Sequence, residues 1–341
     1  MGQPLAVLFA FLAAALFGVS TPLSKALAAG LSAFQLAGLL YLGAGLGLGA
    51  LELLRPGKPR PVKPAQRKYI LGMVFSGGVL GPVLLMAAIK LAPAASVSIW
   101  LNLELAATAF LGHFFFKDQL GKGGWAAVAV SLAAGALLSY DGGAAGFLAG
   151  GLTAAACFCW GLDNHFTALI DDITPEASTI IKGLAAGSTN LLIGLWTAGA
   201  PAPALSLKAL AVGFACYGLS IALYISAAQK LGAVRGQVIF SAAPVFGVLV
   251  SVLLLGEGLS AVQALSGALL LGSVWLMLAE KHSHSHAHEA AEHTHLHSHD
   301  DLHHGHSHDG GPAGQHSHAH KHEPAVHSHP HWPDLHHRHS H

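Results

Sequence analysis

The sequence predicts an all-α membrane protein: ten transmembrane helices set as two inverted five-helix repeats, followed by a disordered C-terminal tail. Three observations predict it. Of 341 residues, 53% are hydrophobic and only 10% charged, with a mean hydropathy of +0.54. A soluble domain carries about 25% charged residues to face water, so lipid must cover much of this surface. Apolar runs of about 20 residues recur from end to end, each long enough to cross a bilayer. The second half of those runs also repeats the first at a fixed offset.

The spans fall at 4–28, 33–54, 69–91, 93–116, 123–140, 146–169, 174–197, 206–230, 233–255 and 260–279. Pro56 to Pro64, Asp141-Gly142-Gly143, Thr174-Pro175 and Pro201-Ala202-Pro203 punctuate the short connections. The start, Met1-Gly2-Gln3-Pro4, lacks a basic stretch, so the first apolar run reads as a span and not as a leader peptide. The 41 glycines suit close helix approach in lipid. Cys157, Cys159 and Cys216 lie within apolar runs, where they read as small packing residues and not as a disulfide framework.

Positive side chains set the orientation. Arg55, Lys58, Arg60, Lys63, Arg67 and Lys68 follow span 2, Lys117 and Lys122 follow span 4, and Lys230 and Arg235 follow span 8. The opposite connections hold Lys90 and Lys208. Positive residues favour the cytoplasm, which puts both termini on the cytoplasmic side of the cell membrane. Asp171 and Asp172 run against this pattern, but acidic residues weigh little in it.

The repeat appears at a shift of about 140 residues. Lys90-Leu91 matches Lys230-Leu231, Gly78 matches Gly218, and Phe17-Gly18 matches Trp160-Gly161. Phe114 to Leu120 matches Leu253 to Leu259 after a slip of one residue. A unit with an odd number of spans puts its second copy upside down, the arrangement of secondary transporters. The domains are therefore 1–141 and 146–280, each a five-helix unit, and a tail at 281–341.

Ala243-Pro244-Val245-Phe246 inside span 9, Gly256-Glu257 closing it, and Gly267-Ala268-Leu269-Leu270-Leu271-Gly272 in span 10 carry a family resemblance. Together with the repeat, they resemble the EamA branch of the drug/metabolite transporter superfamily over residues 5–280. The resemblance implies a ten-helix permease with helices 5 and 10 peripheral; it supplies no substrate. Span 4 has Asn102-Leu103-Glu104 where span 9 has Ala242-Ala243-Pro244. With Trp160-Gly161-Leu162-Asp163-Asn164 and the histidine-rich tail, this is similar to an EamA subgroup with an Asn-Leu-Glu helix 4.

A charge at the centre of a lone membrane helix costs about 2.5–3.5 kcal/mol on insertion scales, so ionisable residues deep in spans need a reason. Glu104 is about eleven residues into span 4, near mid-bilayer at about 1.5 Å per residue. It marks a substrate or proton-coupling site or, failing that, an interhelical hydrogen bond. Asp163 in span 6 and Lys182 in span 7 lie at similar depth across one hairpin. They form either a structural ion pair or, with Asn164, part of the polar path. Asn102, Ser20 and Thr21 complete the candidate lining, the last two at the repeat positions matching Asp163 and Asn164. Lys25 lies nearer a span end and is expected to snorkel. His165 and His113 read as hydrogen-bonding residues at helix contacts and the interface. Thr21-Pro22, Gly77-Gly78, Gly81-Pro82 and Pro244 are expected to kink or loosen their helices.

All 25 histidines except His113 and His165 lie in 281–341, alternating with small or polar residues. With almost nothing apolar to bury, the segment should be disordered. Neutral imidazole binds Zn, Ni, Cu and Co, so His282, His284, His286, His288, His304, His306, His308, His327, His329, His331, His336 and His337 are candidate ligands for a divalent transition metal. Irregular spacing with Asp, Glu and Pro distinguishes this tail from an expression tag.

Two functions compete: a transporter of a divalent metal, fed by the tail, and an exporter of a small organic metabolite whose tail buffers or senses metal. An anchored metal store needs far fewer spans. No nucleophile–base set or phosphate loop points to an enzyme, and no cofactor is required. The expected partners are the lipid bilayer, a small solute or metal ion and, in a homodimer, a second copy of the chain. The formal net charge of zero gives no pointer to nucleic acid.

Overall fold

A computed structural model describes residues 3–54, 64–116, 121–167, 169–170, 173–231, 239–240, 242–279, 283–288, 291–297, 316–322 and 325–330. Through residue 279 these are all helical, with short connections. In chain order the helices are α1 (Gln3–Ala28), α2 (Ala33–Leu53), α3 (Arg67–Leu91), α4 (Ala94–Phe115), α5 (Lys122–Asp141), α6 (Gly143–Thr167), α7 (Pro175–Ala198), α8 (Pro203–Val212 continuing to Leu231), α9 (Ala243–Leu255) and α10 (Ala261–Ala279). Seven of them, α1 to α6 and α8, are long and apolar enough to cross a membrane. In α7, Glu176, Lys182 and Asn190 dilute the apolar run, while α9 and α10 are apolar but shorter over the residues searched.

Helix ends follow local chemistry. Ser32 and Gln35 form a capping box at the start of α2, each side chain bonding to the other's backbone N–H at 3.1 and 2.9 Å. Thr174 accepts from the Ala177 N–H ahead of α7, with Pro175 in the first turn, where a missing N–H costs nothing. Pro244 also sits in the first turn of α9, so it opens that helix and does not kink it. The helix runs on through Pro22 in α1.

The two halves repeat each other in their irregularities. In α3 the turn widens to a π-helix over Val74–Leu80, and in α8 the same happens over Gly213–Leu219. Helical segments restart after Asn102 in α4 and after Ala242 in α9, the positions where the two halves differ in sequence. The packing pairs also come in mirrored sets: α1 packs on α8 and α9, as α6 packs on α3 and α4. Two pairs match themselves, α2 with α7 and α5 with α10. Ser131 of α5 donates to Ser273 of α10 at 2.7 Å, joining the latter pair.

Close approach depends on glycine at these contacts. A Cβ on Gly38 would lie 2.5 Å from the Leu191 backbone N, and one on Gly43 would strike the Leu210 carbonyl. The core between the halves gathers Leu36, Leu40, Met86, Ile89, Trp100 and Leu270, all essentially buried.

The described parts of the tail are four segments, β1 (Ser283–His288), β2 (Ala291–His297), β3 (His316–His322) and β4 (Ala325–Pro330). β1 pairs with β4 and β2 with β3, both antiparallel and in one continuous register. Low apolar content bears on burying a core, whereas strict alternation has the two-residue period of a strand and permits local pairing. A two-stranded ribbon on its own is marginally stable in water.

Gly43→Ala is expected to destabilise the purified protein by about 1–3 kcal/mol through overpacking. Gly49→Ala, whose Cβ meets nothing within 4 Å, is expected to leave stability unchanged or slightly raised; detergent unfolding midpoints compare the two.

Candidate functional site

The site starts from a tightened turn in α4. Asn102 N–H and Glu104 N–H bond to carbonyls three residues back, those of Ile99 (3.2 Å) and Leu101 (3.1 Å). The Asn102 side-chain amide also donates to Ile99 O, at 3.2 Å, and the Cys157 thiol of α6 approaches the Trp100 and Leu101 carbonyls at 3.9 Å. Directly beyond this turn stands Glu104, half-buried. Its Oε1 accepts from Asn164 of α6 at 3.2 Å, and the same amide donates to the Thr108 hydroxyl at 3.3 Å. One turn further along, the His165 Nε2–H donates to the Thr108 carbonyl at 3.0 Å, and its ring stacks on Phe116 with centroids 4.2 Å apart. The charges and phenols within electrostatic reach of Glu104 come from α2 (Tyr41), α6 (Asp163), α7 (Lys182) and α8 (Tyr224). Glu104 therefore lies among helices of both halves.

The second feature is an ion pair seated on glycine. Lys182 of α7 donates to both oxygens of Asp163 of α6, at 2.8 and 2.5 Å, and Thr167 adds a hydrogen bond to Oδ1 at 3.2 Å. The pair rests on the π-helix of α3: a Cβ on Gly77 would collide with the Asp163 carboxylate, and one on Gly78 would come within 3.0 Å of Lys182. A π turn leaves carbonyls without their usual α-helical donors, and neighbouring side chains take them up. Tyr41 Oη–H and Trp160 Nε1–H both donate to Gly77 O, at 2.9 and 3.1 Å, while the Asn190 amide donates to Gly78 O and Val79 O at 3.2 and 3.3 Å.

Aromatic rings line the contact between the halves. Tyr41 lies 5.8 Å from Tyr217 of α8, Tyr217 lies 5.8 Å from Phe17 of α1, Phe17 lies 5.4 Å from Phe240, and Phe240 lies 4.8 Å from Tyr224 of α8. Tyr217 is buried; the other four rings are half-buried.

Of the residues singled out in the sequence, Glu104, Asn164, Asp163 and Lys182 come together at the α4–α6–α7 contact. Asn102 is buried and spends its amide on its own helix. Ser20 and Thr21 are buried in α1, Ser20 beside Tyr217. The Nζ of Lys25 reaches the end of α3, where it donates to Ile89 O and Ala92 O at 2.6 and 2.9 Å. His113 packs edge-on against Phe114 and Trp125. Thr108, Tyr41 and Tyr224 were not legible as site residues, because a hydroxyl or a tyrosine in a span has no pattern that separates lining from packing. In the tail, His284, His286 and His288 lie on β1 and His327 and His329 on β4; the register sets His284 opposite His329 and His286 opposite His327. His282, His304, His306, His308, His331, His336 and His337 lie outside the described residues.

Two stretches of the chain, residues 4–140 and 148–279, each match the EamA-like transporter family. The chain belongs to that family. It is a transporter family and not an enzyme family, and its members are multi-pass membrane proteins, in keeping with the apolar helices. A solved crystal structure of a protein superposes on this EamA chain with a TM-score of 0.57 at 20% identity, over 81% of this chain and 98% of the other, which bears on the fold alone. None of the curated proteins compared with the chain matches it.

The Gly256-Glu257 element that carried the family likeness has a definite place in the EamA fold. Glu257, after α9, accepts from the Ala94 and Ala95 N–H groups at the start of α4, each at 2.8 Å. A carboxylate there complements the positive end of the helix and ties the second half to the first. Lys25 lies within electrostatic reach of it. Deeper in the bundle, α1 and α9 meet backbone to backbone, since a Cβ on Gly18 would strike Ala243 O, and α9 meets the Ser98 side chain of α4, whose Oγ would lie 2.5 Å from a Cβ on Gly247.

Lys182→Met is expected to lower stability by about 3–5 kcal/mol, because it leaves the buried Asp163 carboxylate unpaired. Adding Asp163→Leu to the same chain is expected to restore at least half of that loss in the same unfolding assay.

Proposed function

We propose that this chain is a secondary transporter of the cytoplasmic membrane that moves a small positively charged solute past Glu104. In this reading all ten helices cross the bilayer, the two halves lie in opposite orientations, and both termini face the cytoplasm. The observation that carries it is the charge pattern at the contact between the halves. Asp163 and Lys182 neutralise each other at hydrogen-bond distance, while the hydrogen bond that Glu104 accepts among the described residues comes from the Asn164 amide, with Lys182 only within its wider electrostatic reach. A solute cation or a proton is the natural counter-charge for it.

The tie from Glu257 to the first residues of α4 lies at the end of the bundle holding the α3–α4 connection. That is the outer end in the proposed orientation, which leaves the Glu104 site to be reached from the cytoplasmic side. Binding of a divalent transition metal falls to the tail. At about 3.3 Å per residue, a tail of about sixty residues is long enough to reach the inner mouth.

A second reading makes the metal itself the cargo. The facing His pairs on β1 and β4 favour it, since paired imidazoles suit such an ion.

In proteoliposomes, Glu104→Gln is expected to reduce cation flux at least tenfold with an unchanged unfolding midpoint; unchanged flux would remove Glu104 from the path. Deleting residues 281–341 is expected to abolish binding of Ni and Zn in equilibrium dialysis. Under the first reading solute flux persists in the deleted chain, and under the second it falls with the metal binding.

A further inference from the structure

The geometry points to an organic ammonium ion as the solute class of this site, seated between the Glu104 carboxylate and the aromatic wall of Tyr41, Phe17, Phe240 and Tyr224. This rests on Glu104 being the cation-accepting group of the path, and it adds what kind of cation that group takes.

The donor set around Glu104 is poor for a dehydrated transition metal. Zn, Ni, Co and Cu bind through several N, S or O ligands at about 2.0–2.3 Å. The neighbouring groups are already committed. Asn164 turns its NH2 toward Glu104 and Thr108. His165 spends Nε2–H on a backbone carbonyl, so that nitrogen has no lone pair to offer. Both oxygens of Asp163 are held by Lys182. Among the described residues no group of three or more His, Cys, Asp or Glu side chains is placed to hold a metal ion.

An ammonium ion makes different demands. One carboxylate supplies the counter-charge, and the faces of aromatic rings supply cation–π attraction without needing lone pairs. The rings here suit that use. None of the four ring pairs is stacked: the interplanar angles are 69°, 44°, 48° and 51°. Tilted neighbours do not cover each other's faces, and four of the five rings are only half-buried. The rings come from α1 and α2 in the first half and from α8 and the approach to α9 in the second. A cation held among them therefore touches both halves at once, as a carried solute must. Tyr41 bonds to Gly77 O, Gly77 lies against the Asp163 carboxylate, and the next residue, Asn164, holds Glu104, which joins the wall to the carboxylate.

The test uses the full chain, purified and in proteoliposomes. The probes are a series from methylammonium through choline to tetraethylammonium, the neutral choline isostere 3,3-dimethylbutanol, and Zn and Ni ions. At least one ammonium probe is expected to show saturable binding and counterflow that disappear in Glu104→Gln and are not competed by 3,3-dimethylbutanol. Tyr224→Leu should weaken that probe about fivefold to thirtyfold, whereas Tyr224→Phe, which keeps the ring, should change it less than twofold. Unfolding midpoints confirm that each variant is folded. Glu104-dependent flux of Zn or Ni with none of any ammonium probe would overturn the ammonium assignment and leave the cation path standing. No Glu104-dependent movement of any probe would remove the path itself. Equal ammonium affinity in Tyr224→Leu and wild type would overturn the aromatic seat.

Discussion

Inside a hydrocarbon layer a polar group has no water to turn to, so every carbonyl freed from its helix and every charge must find a partner in the protein. That requirement organises the centre of this molecule. The π turn of α3 frees carbonyls at Gly77, Gly78 and Val79, and Tyr41, Trp160 and Asn190 are drawn in from α2, α6 and α7 to meet them. The tight turn of α4 is met in the same way by Asn102 and Cys157. Each irregular backbone position thus fixes the neighbours that surround it, and the site inherits its shape from those obligations.

The two acidic residues of the site end in different circumstances for this reason. Asp163 lies on the glycine floor made by the π turn and is clasped by Lys182, so its charge is spent on the fold. Glu104 projects just past the tight turn of α4, where the near groups are an amide and a hydroxyl. The same chemical group is structural in one place and available in the other, and the difference lies in what the facing helix presents.

The spans were plain in the sequence because a bilayer demands about 20 apolar residues at a time, a signal that needs no knowledge of packing. α1 to α6 begin and end within three residues of their expected positions. Gly78 and Gly218 were legible as partners in the repeat, and both fall within π segments, but the π winding itself was not. It depends on Tyr41, Trp160 and Asn190 arriving from other helices, and no local pattern records that. Pro244 misled as a kink, since its effect depends on whether the helix begins before or after it. The Asp163–Lys182 pair was readable from depth alone, whereas the aromatic wall needs five rings from separate stretches of chain and has no linear signature.

The ion pair bears on how the chain enters the membrane during synthesis. Asp163 and Lys182 sit on consecutive helices, α6 and α7, separated by a short connection. Threaded singly, each helix would bring an unmatched charge into lipid; as a hairpin, the two arrive already neutral. In the proposed topology, where α7 as well as α6 crosses the bilayer, entry as a hairpin spares the chain a cost of about 2.5–3.5 kcal/mol for each charge left unmatched.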